Sequence, residues 1–296
     1  MFRDFNRREN INCSGTYAAC NECSLIYLND APPWEDIVKL YSYLDQNQKI
    51  NAGQINAAEL REQTESSVPG WKKTLRKIRF RPHSWPLEPA QQSGKSLLDL
   101  GCSNTAKLTE FAQRGYDVWG VDLSTEAIDD SRKLLPQGHF YEGELTDVNL
   151  PGAYFHYIRI DNVLEHVPNP KEVVSECYRL LAKGGQILIY VPHGRSLSMQ
   201  LMKGNSISSW IPFHLQLFTR KSLTLLLKDA GFTNIKIYNY YPNSWLPLSI
   251  MQLVNNKKQQ SMELDCPSWL KIVCYPIGWL TAIFGFGEEL VAKGSK

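Results

Sequence analysis

The sequence carries no strong charge of either sign. Its 32 basic and 30 acidic residues leave a formal net charge of +2, which excludes the basic footprint of a nucleic-acid binder. It lacks an apolar leader: no apolar stretch follows the charges of Met1-Phe-Arg-Asp-Phe-Asn-Arg-Arg, so no secretory signal is expected. It lacks a bilayer-spanning run. The uncharged segment from Ile272 to Phe286 contains Pro276 and Gly278 and falls short of the roughly 20 residues a spanning helix needs. A buried or interfacial segment is expected there, with peripheral membrane contact through 269–286 as the interfacial form. A paired cysteine framework is missing too. Seven cysteines, an odd number at uneven spacing in a long chain, fit a reducing cytoplasm. A cytoplasmic location is expected, membrane-peripheral if the late apolar segment meets lipid. Repeats and low-complexity tracts are absent. At 43% hydrophobic and 21% charged residues, the composition is that of a folded domain.

Three regions follow from texture. Residues 1–89 form a cysteine-bearing, partly helical extension, helical over 33–80 with a break at Pro69-Gly70 and a proline-rich linker at 81–89. Residues 90–241 alternate short apolar strands with helical spacings. Strands are expected at 96–99, 116–122, 139–142, 154–162, 186–191 and 233–241. Helices are expected at 105–114, 125–135 with Ser124 as N-cap, 170–181 opening on Pro170, and 220–230 closed by Gly231. That alternation predicts crossover units and a mainly parallel, doubly wound α/β sheet. Residues 242–296 read as an aromatic, helical lid ending in a final edge strand at 287–293.

In a doubly wound sheet, ligands sit beyond the carboxyl ends of the strands. The first strand ends in Leu98-Asp99-Leu100-Gly101-Cys102-Ser103, and the second in Gly120-Val121-Asp122-Leu123-Ser124. Gly101 permits a sharp turn and close approach of backbone to ligand. Asp122 lies about 20 residues further on, where a carboxylate can accept both hydroxyls of a ribose. That pairing fits any adenosine-containing cofactor.

Three blocks make the reading specific: LLDLGCSNTAKLTEFAQRGYDVWGVDLSTEAIDDSRKLL, DNVLEHVPNPKEVVSECYRLLAKGGQILIYVP and HLQLFTRKSLTLLLKDAGF. In this order they resemble the class I S-adenosylmethionine-dependent methyltransferases, most closely the small-molecule and glycan group in which Glu-His-Val follows the fourth strand. The resemblance implies a seven-stranded Rossmann-like sheet with S-adenosylmethionine as cofactor. It implies that Asp99 orients the loop around the methionine moiety, which Gly101, Cys102 and Ser103 line. Asp122 would bind the ribose, and Leu123 would pack on the adenine. Glu144, followed by Leu145, would approach the adenine amino group, and Asn162 would lie under the sulfonium. Two departures stand out. The loop Gly101-Cys-Ser-Asn-Thr-Ala lacks the family's further glycines, and Phe155-His156 replaces the usual Phe-Asp.

Methyl transfer is an in-line displacement that requires near-attack geometry. A hydroxyl acceptor also calls for a base, and histidine suits that task near neutral pH. His166 is the expected base, with Glu165 orienting it or contacting acceptor hydroxyls. His193 and His214 are expected to line the acceptor pocket. Cys13, Cys20 and Cys23 resemble half of an N-terminal zinc module. A closed site needs four ligands and the fourth is not evident, so free thiols are expected and no metal is assigned. Late aromatics from Tyr238 to Phe286 suit a self-burying lid, a sugar face or a membrane contact. The lead expectation is O-methylation of a small-molecule or glycan acceptor, a sugar hydroxyl in particular, in free or lipid-linked form. Transfer to carbon, nitrogen or a quinone-like lipid ring is the second reading. A non-catalytic binding protein that keeps the fold is the third.

Overall fold

A computed structural model describes residues 15–40, 95–102, 105–242, 244–258 and 266–296. The described residues divide into two compact units. Residues 32–40 belong to one, helical over 34–40. Residues 15–31 and everything from 95 onward form the other. The expected boundary at residue 89 therefore misplaces the N-terminal hairpin, which belongs with the core. Most of the helix expected at 33–80 and the linker at 81–89 lie outside the described residues.

The large unit is built on a seven-stranded sheet. Strands β3 (Ser96–Leu100), β4 (Asp117–Asp122), β5 (His139–Glu142), β6 (Phe155–Asp161) and β7 (Leu181–Pro192) pair in parallel. The spatial order is β5-β4-β3-β6-β7-β10-β9, with β9 spanning Thr233–Tyr240 and β10 spanning Glu289–Ser295. β3 sits inside this sheet and is buried at every position, as a strand covered on both faces must be. Alternation sends Leu97 to a cluster with Leu108, Phe111, Val118 and Ile128 on one face. Leu98 and Leu100 go to a larger cluster with Ile158, Ile160, Val174, Leu223 and Leu227 on the other.

Helices α1 (Thr105–Gln113), α2 (Thr125–Leu134), α3 (Pro170–Leu180) and α5 (Arg220–Asp229) supply the crossovers. Their ends follow the chemistry expected of them. The Ser124 hydroxyl accepts from Ala127 N at 3.3 Å. Pro170 opens α3. Thr219 and Ser222 form a reciprocal capping box on α5. At the substituted Phe155-His156 pair, His156 Nδ1 lies 3.3 Å from the backbone N and 3.1 Å from the hydroxyl of Ser96. The histidine thus ties down the start of β3, a role an acid on a neighbouring strand could also fill.

One expectation is corrected. The last strand is not at the edge: β10 runs antiparallel to both β7 and β9 and lies between them. Seven register partners on β7, from Glu289↔Pro192 to Ser295↔Gln186, satisfy one side of its backbone, and β9 satisfies the other. β10 is also buried over most of its length, so an edge position would leave apolar side chains and polar backbone facing water.

Two features went unforeseen. β1 (Tyr17–Ala19) and β2 (Ile26–Leu28) form a hairpin, and β2 pairs with the two-residue β8 (Gln216–Leu217) to make a small antiparallel sheet. A short helix, α4 (Leu197–Met202), and a 3₁₀ turn (Lys203–Asn205) follow β7.

The C-terminal region holds α6 (Trp245–Lys258) and α7 (Ser268–Ile283). The buried side of α7 meets Tyr241, where a Cβ on Gly278 would stand 2.1 Å from the ring. Its other side is an uncharged stripe of exposed Trp269, Ile272, Val273, Ile277, Leu280 and Ile283, continued by Phe284 and Phe286. Among the described residues, no helix is long and apolar enough to cross a membrane.

Candidate functional site

The parallel register brings the two diagnostic strand ends side by side. Asp99 lies opposite Gly120, and Asp122 opposite Glu142. Gly101 turns the chain with φ of +73°, and an added Cβ there would stand 2.2 Å from Cγ2 of Val163. The turn therefore has no room for a side chain. Asp122 Oδ1 accepts from Ser124 N at 2.9 Å, which fixes the carboxylate at the mouth of the loop. Leu123 beside it is 44% exposed, an apolar side chain left where a planar base could cover it. Glu144 is exposed next to it.

Several of the expected cofactor positions are buried. Cys102 is wholly buried in the cluster around Phe111, and burial pushes its thiol up to about 12. Leu145 likewise belongs to the core. Ser103 lies outside the described residues. Asp99 is buried, and its carboxylate receives Arg159 Nη1 at 2.9 and 3.1 Å. Burial raises that carboxyl to about 6, against the pull of the guanidinium. Arg159 also bonds Asp161. The signal for Arg159 was a charge between Ile158 and Ile160 in a largely buried strand, where a carboxylate partner makes it tolerable.

Asn162 follows β6 with φ of 53°. Its amide donates to Asp161 Oδ1 at 2.8 Å and to Glu289 Oε1 at 3.1 Å. Glu289, brought in by the reversed strand β10, is buried. Burial, assisted by Asp161, pushes its carboxyl up to about 8, so it carries its proton at neutral pH.

One turn further along the loop lies a second polar group. Glu165 is fully buried, and among the described residues neither carboxylate oxygen has a hydrogen-bond partner. Nε2 of His166 stands 3.8 Å from Glu165 Oε1 and Nε2 of His214 stands 4.0 Å from it. The His166 ring is held by Nδ1 on the Phe213 carbonyl at 2.9 Å, and the His214 ring by Nδ1 on the Ser208 carbonyl at 2.7 Å. Burial holds His166 down to about 4 despite the Phe213 and Asn162 carbonyls, so its ring is neutral at physiological pH. Burial, with Glu289 and Asp161 adding, lifts Glu165 well above the usual carboxylate range. Trp210 packs edge-on against both rings, at 6.0 Å from His166 and 5.6 Å from His214.

The segment carrying His214 is fastened from two directions. The Tyr17 hydroxyl donates to the His214 carbonyl at 2.8 Å, so the N-terminal hairpin grips it from outside. Ser249 of α6 accepts from Ile207 N at 3.0 Å and anchors the preceding loop. No local signal in the sequence pointed to Tyr17. His193 does not join the group. It is buried, with Nδ1 on the Gly287 carbonyl at 3.0 Å, and ties β7 to the entry of β10. In the hairpin turn, Cys20 and Cys23 are free thiols. Hydrogen bonds from the Cys23 and Glu22 backbone and the Cys23 side chain lower the Cys20 pKa. Cys13 lies outside the described residues.

A sheet with one reversed strand, a tight glycine turn after β3 and an acid ending β4 together define a nucleoside-binding α/β domain of the methyltransferase kind. A profile of the methyltransferase-domain family matches residues 61–237. This chain belongs to that family, and the cofactor is S-adenosylmethionine. Gly101, Asp122 and Leu123 fit that molecule, offering a close backbone cradle, a ribose acceptor and an apolar face.

Curated relatives include a ubiquinone biosynthesis O-methyltransferase from Pseudomonas aeruginosa, 32% identical over 112 residues, covering 36% of this chain and 48% of that protein. A protein of the same description from Idiomarina loihiensis is 29% identical over 148 residues, covering 47% and 61%. A probable S-adenosylmethionine-dependent methyltransferase from Mycolicibacterium smegmatis is 29% identical over 140 residues, covering 47% and 52%. The chain spans about half the length of the curated relatives it matches. Among solved structures, a SAM-dependent methyltransferase from Archaeoglobus fulgidus superposes with a TM-score of 0.50 at 19% identity, over 81% of this chain and all of that one. That likeness speaks for the fold.

Proposed function

We propose that this chain transfers the methyl group of S-adenosylmethionine to a hydroxyl on an aromatic, quinone-like ring carried by a lipid. The observation that carries the reading is the neutral His166 beside buried Glu165, on the loop that leaves β6 next to the cofactor turn. Asp122 binds the ribose, Gly101 passes close to the methionine moiety, and Asn162 faces the sulfonium. The acceptor enters from the side of Trp210 and His214. His166 Nε2 takes the hydroxyl proton, with the Glu165 carboxyl 3.8 Å from that nitrogen. The oxygen attacks the methyl carbon as the carbon–sulfur bond breaks, and the electron pair stays on sulfur.

Between a sugar and an aromatic ring as acceptor, two facts favour the ring. The relatives' names speak of ubiquinone biosynthesis. A phenolic proton is also more acidic than that of a sugar hydroxyl, so it asks less of a neutral imidazole acting as base. The uncharged outer stripe of α7 supports peripheral contact with the membrane from which such an acceptor would be drawn.

Calorimetric titration with S-adenosylhomocysteine comes first, then transfer of labelled methyl to catechol-bearing lipids and to sugars in parallel. Catechol lipids are the expected acceptors, and His166→Ala should lower kcat by ~10²–10⁴-fold. Sugar methylation with catechols untouched, or a fully active His166→Ala, would overturn the assignment. Co-sedimentation with anionic vesicles should be lost in Ile272→Asp/Ile277→Asp.

A further inference from the structure

We propose that Glu165, His166 and His214 form a binding site for one divalent transition-metal ion. Their ligand-type atoms all lie within 4.8 Å of one another. Three features argue for a cation.

Glu165 is the first. A fully buried carboxylate without a hydrogen-bond partner is costly by several kcal/mol unless it is neutralised, paired or bound to a metal. Ring orientation is the second. A carbonyl oxygen only accepts, so Nδ1 is the protonated nitrogen in both histidines. Nε2 is then the basic nitrogen in each, and both Nε2 atoms face Glu165 Oε1 at 3.8 and 4.0 Å. Two nitrogen lone pairs and a carboxyl group converging on one point make a site for a positive charge. The outer support is the third. Metal-bound histidines characteristically donate the other ring N–H to a carbonyl or carboxylate, and both rings already do so here.

Two imidazoles and a carboxylate suit Zn²⁺, Co²⁺, Fe²⁺ or Ni²⁺ and are too nitrogen-rich for Mg²⁺ or Ca²⁺. Three protein ligands leave coordination positions open for oxygens of a bound acceptor. The inference rests on the proposed acceptor site only for its consequence. In the loaded protein His166 Nε2 is a ligand, and the ion takes over its task. The ion acidifies the acceptor hydroxyl, whose proton leaves to solvent, and the oxygen then attacks the methyl carbon as before.

The test uses the full chain stripped with a chelator, then loaded with Co²⁺ or Zn²⁺ alone and freed of excess metal. Because Cys20 and Cys23 are also metal-competent thiols, every measurement is repeated in Cys20→Ser/Cys23→Ser. One ion per chain should be retained in that background, with a Co²⁺ spectrum lacking thiolate charge-transfer bands. Affinity should fall at least ~100-fold in Glu165→Gln and in His214→Ala. Circular dichroism and S-adenosylhomocysteine binding confirm that each variant is folded. His214→Gln serves as the second variant if either fails that check. Retention that disappears with the cysteines, survives loss of Glu165 and His214, or is absent throughout overturns the site. Methyl transfer by the stripped protein without retained metal would overturn the ion and leave the methyltransferase reading standing. Failure to bind S-adenosylhomocysteine would strike that reading instead.

Discussion

Glu289→Gln should make the protein more stable, and increasingly so as pH rises. Glu289 is buried beside Asn162, and its carboxyl titrates at about 8 against an ordinary value of 4.5. In the unfolded chain the proton leaves near 4.5, whereas in the folded chain it stays until about 8. Between those values the native state holds more protons, so stability falls as pH rises. Each pH unit in that window costs ~1.4 kcal/mol, or about 4–5 kcal/mol across it. Glutamine copies the protonated carboxyl in shape, lacks the titration and leaves an oxygen to accept from Asn162 Nδ2. The difference between variant and parent should therefore be near zero at pH 4.5 and approach ~4 kcal/mol above pH 8. Urea unfolding at half-unit intervals from pH 4.5 to 8.5 measures it directly. A difference that stays flat with pH, or a variant less stable throughout, would refute the assignment of a protonated Glu289.

Asp122→Ala should weaken S-adenosylhomocysteine by ~10–100-fold in calorimetry, since charge-assisted hydrogen bonds contribute about 1.5–3 kcal/mol each. Unchanged affinity would remove Asp122 from the ribose site. Gly101→Ala places a methyl 2.2 Å from Val163 Cγ2 at φ of +73° and should cost ~2–4 kcal/mol in chemical denaturation. Adding Val163→Ala should relieve the clash and recover part of the loss, while strict additivity would refute the contact. Tyr17→Phe deletes the 2.8 Å bond to the His214 carbonyl and should cost about 1–2 kcal/mol. It should raise KM for the acceptor while S-adenosylhomocysteine affinity holds, and a matched loss in both would contradict a role confined to the acceptor side.

The parallel half of the sheet was legible because its information is local. Leu97-Leu98-Asp99-Leu100 announces a buried strand, Gly101 a turn, Ser124 and Pro170 helix starts, and the loop after β6 holds Asn162, Glu165 and His166 within one short stretch. What escaped was lateral. Nothing in Glu289–Ser295 says which two strands will flank it, because its partners on β7 and β9 are fixed by burial contributed from elsewhere. Arg159 and Glu289 look like misplaced charges until Asp99, Asp161 and Asn162 are brought up to them from neighbouring strands and the loop. His214 and Tyr17 meet across 197 residues of sequence through the two-residue strand β8, too short to leave any periodicity. The bond between His193 and the Gly287 carbonyl escaped for a related reason. The position of His193 after a strand is the position of a ligand group, but the reversed strand claims it first.

The placement of β10 also bears on how the molecule is made. Vectorial synthesis delivers β9 before β10, yet among the described residues β9 has no hydrogen-bonding neighbour in the sheet except β10. While the ribosome is still adding α6 and α7, β9 must wait as an unpaired ribbon, and the flank of β7 stays open beside it. The nascent chain then carries two sticky borders at once. Arrival of a single segment closes both together and delivers Glu289 to Asn162 in the same movement, so the loop that follows β6 sets only when that strand slots home.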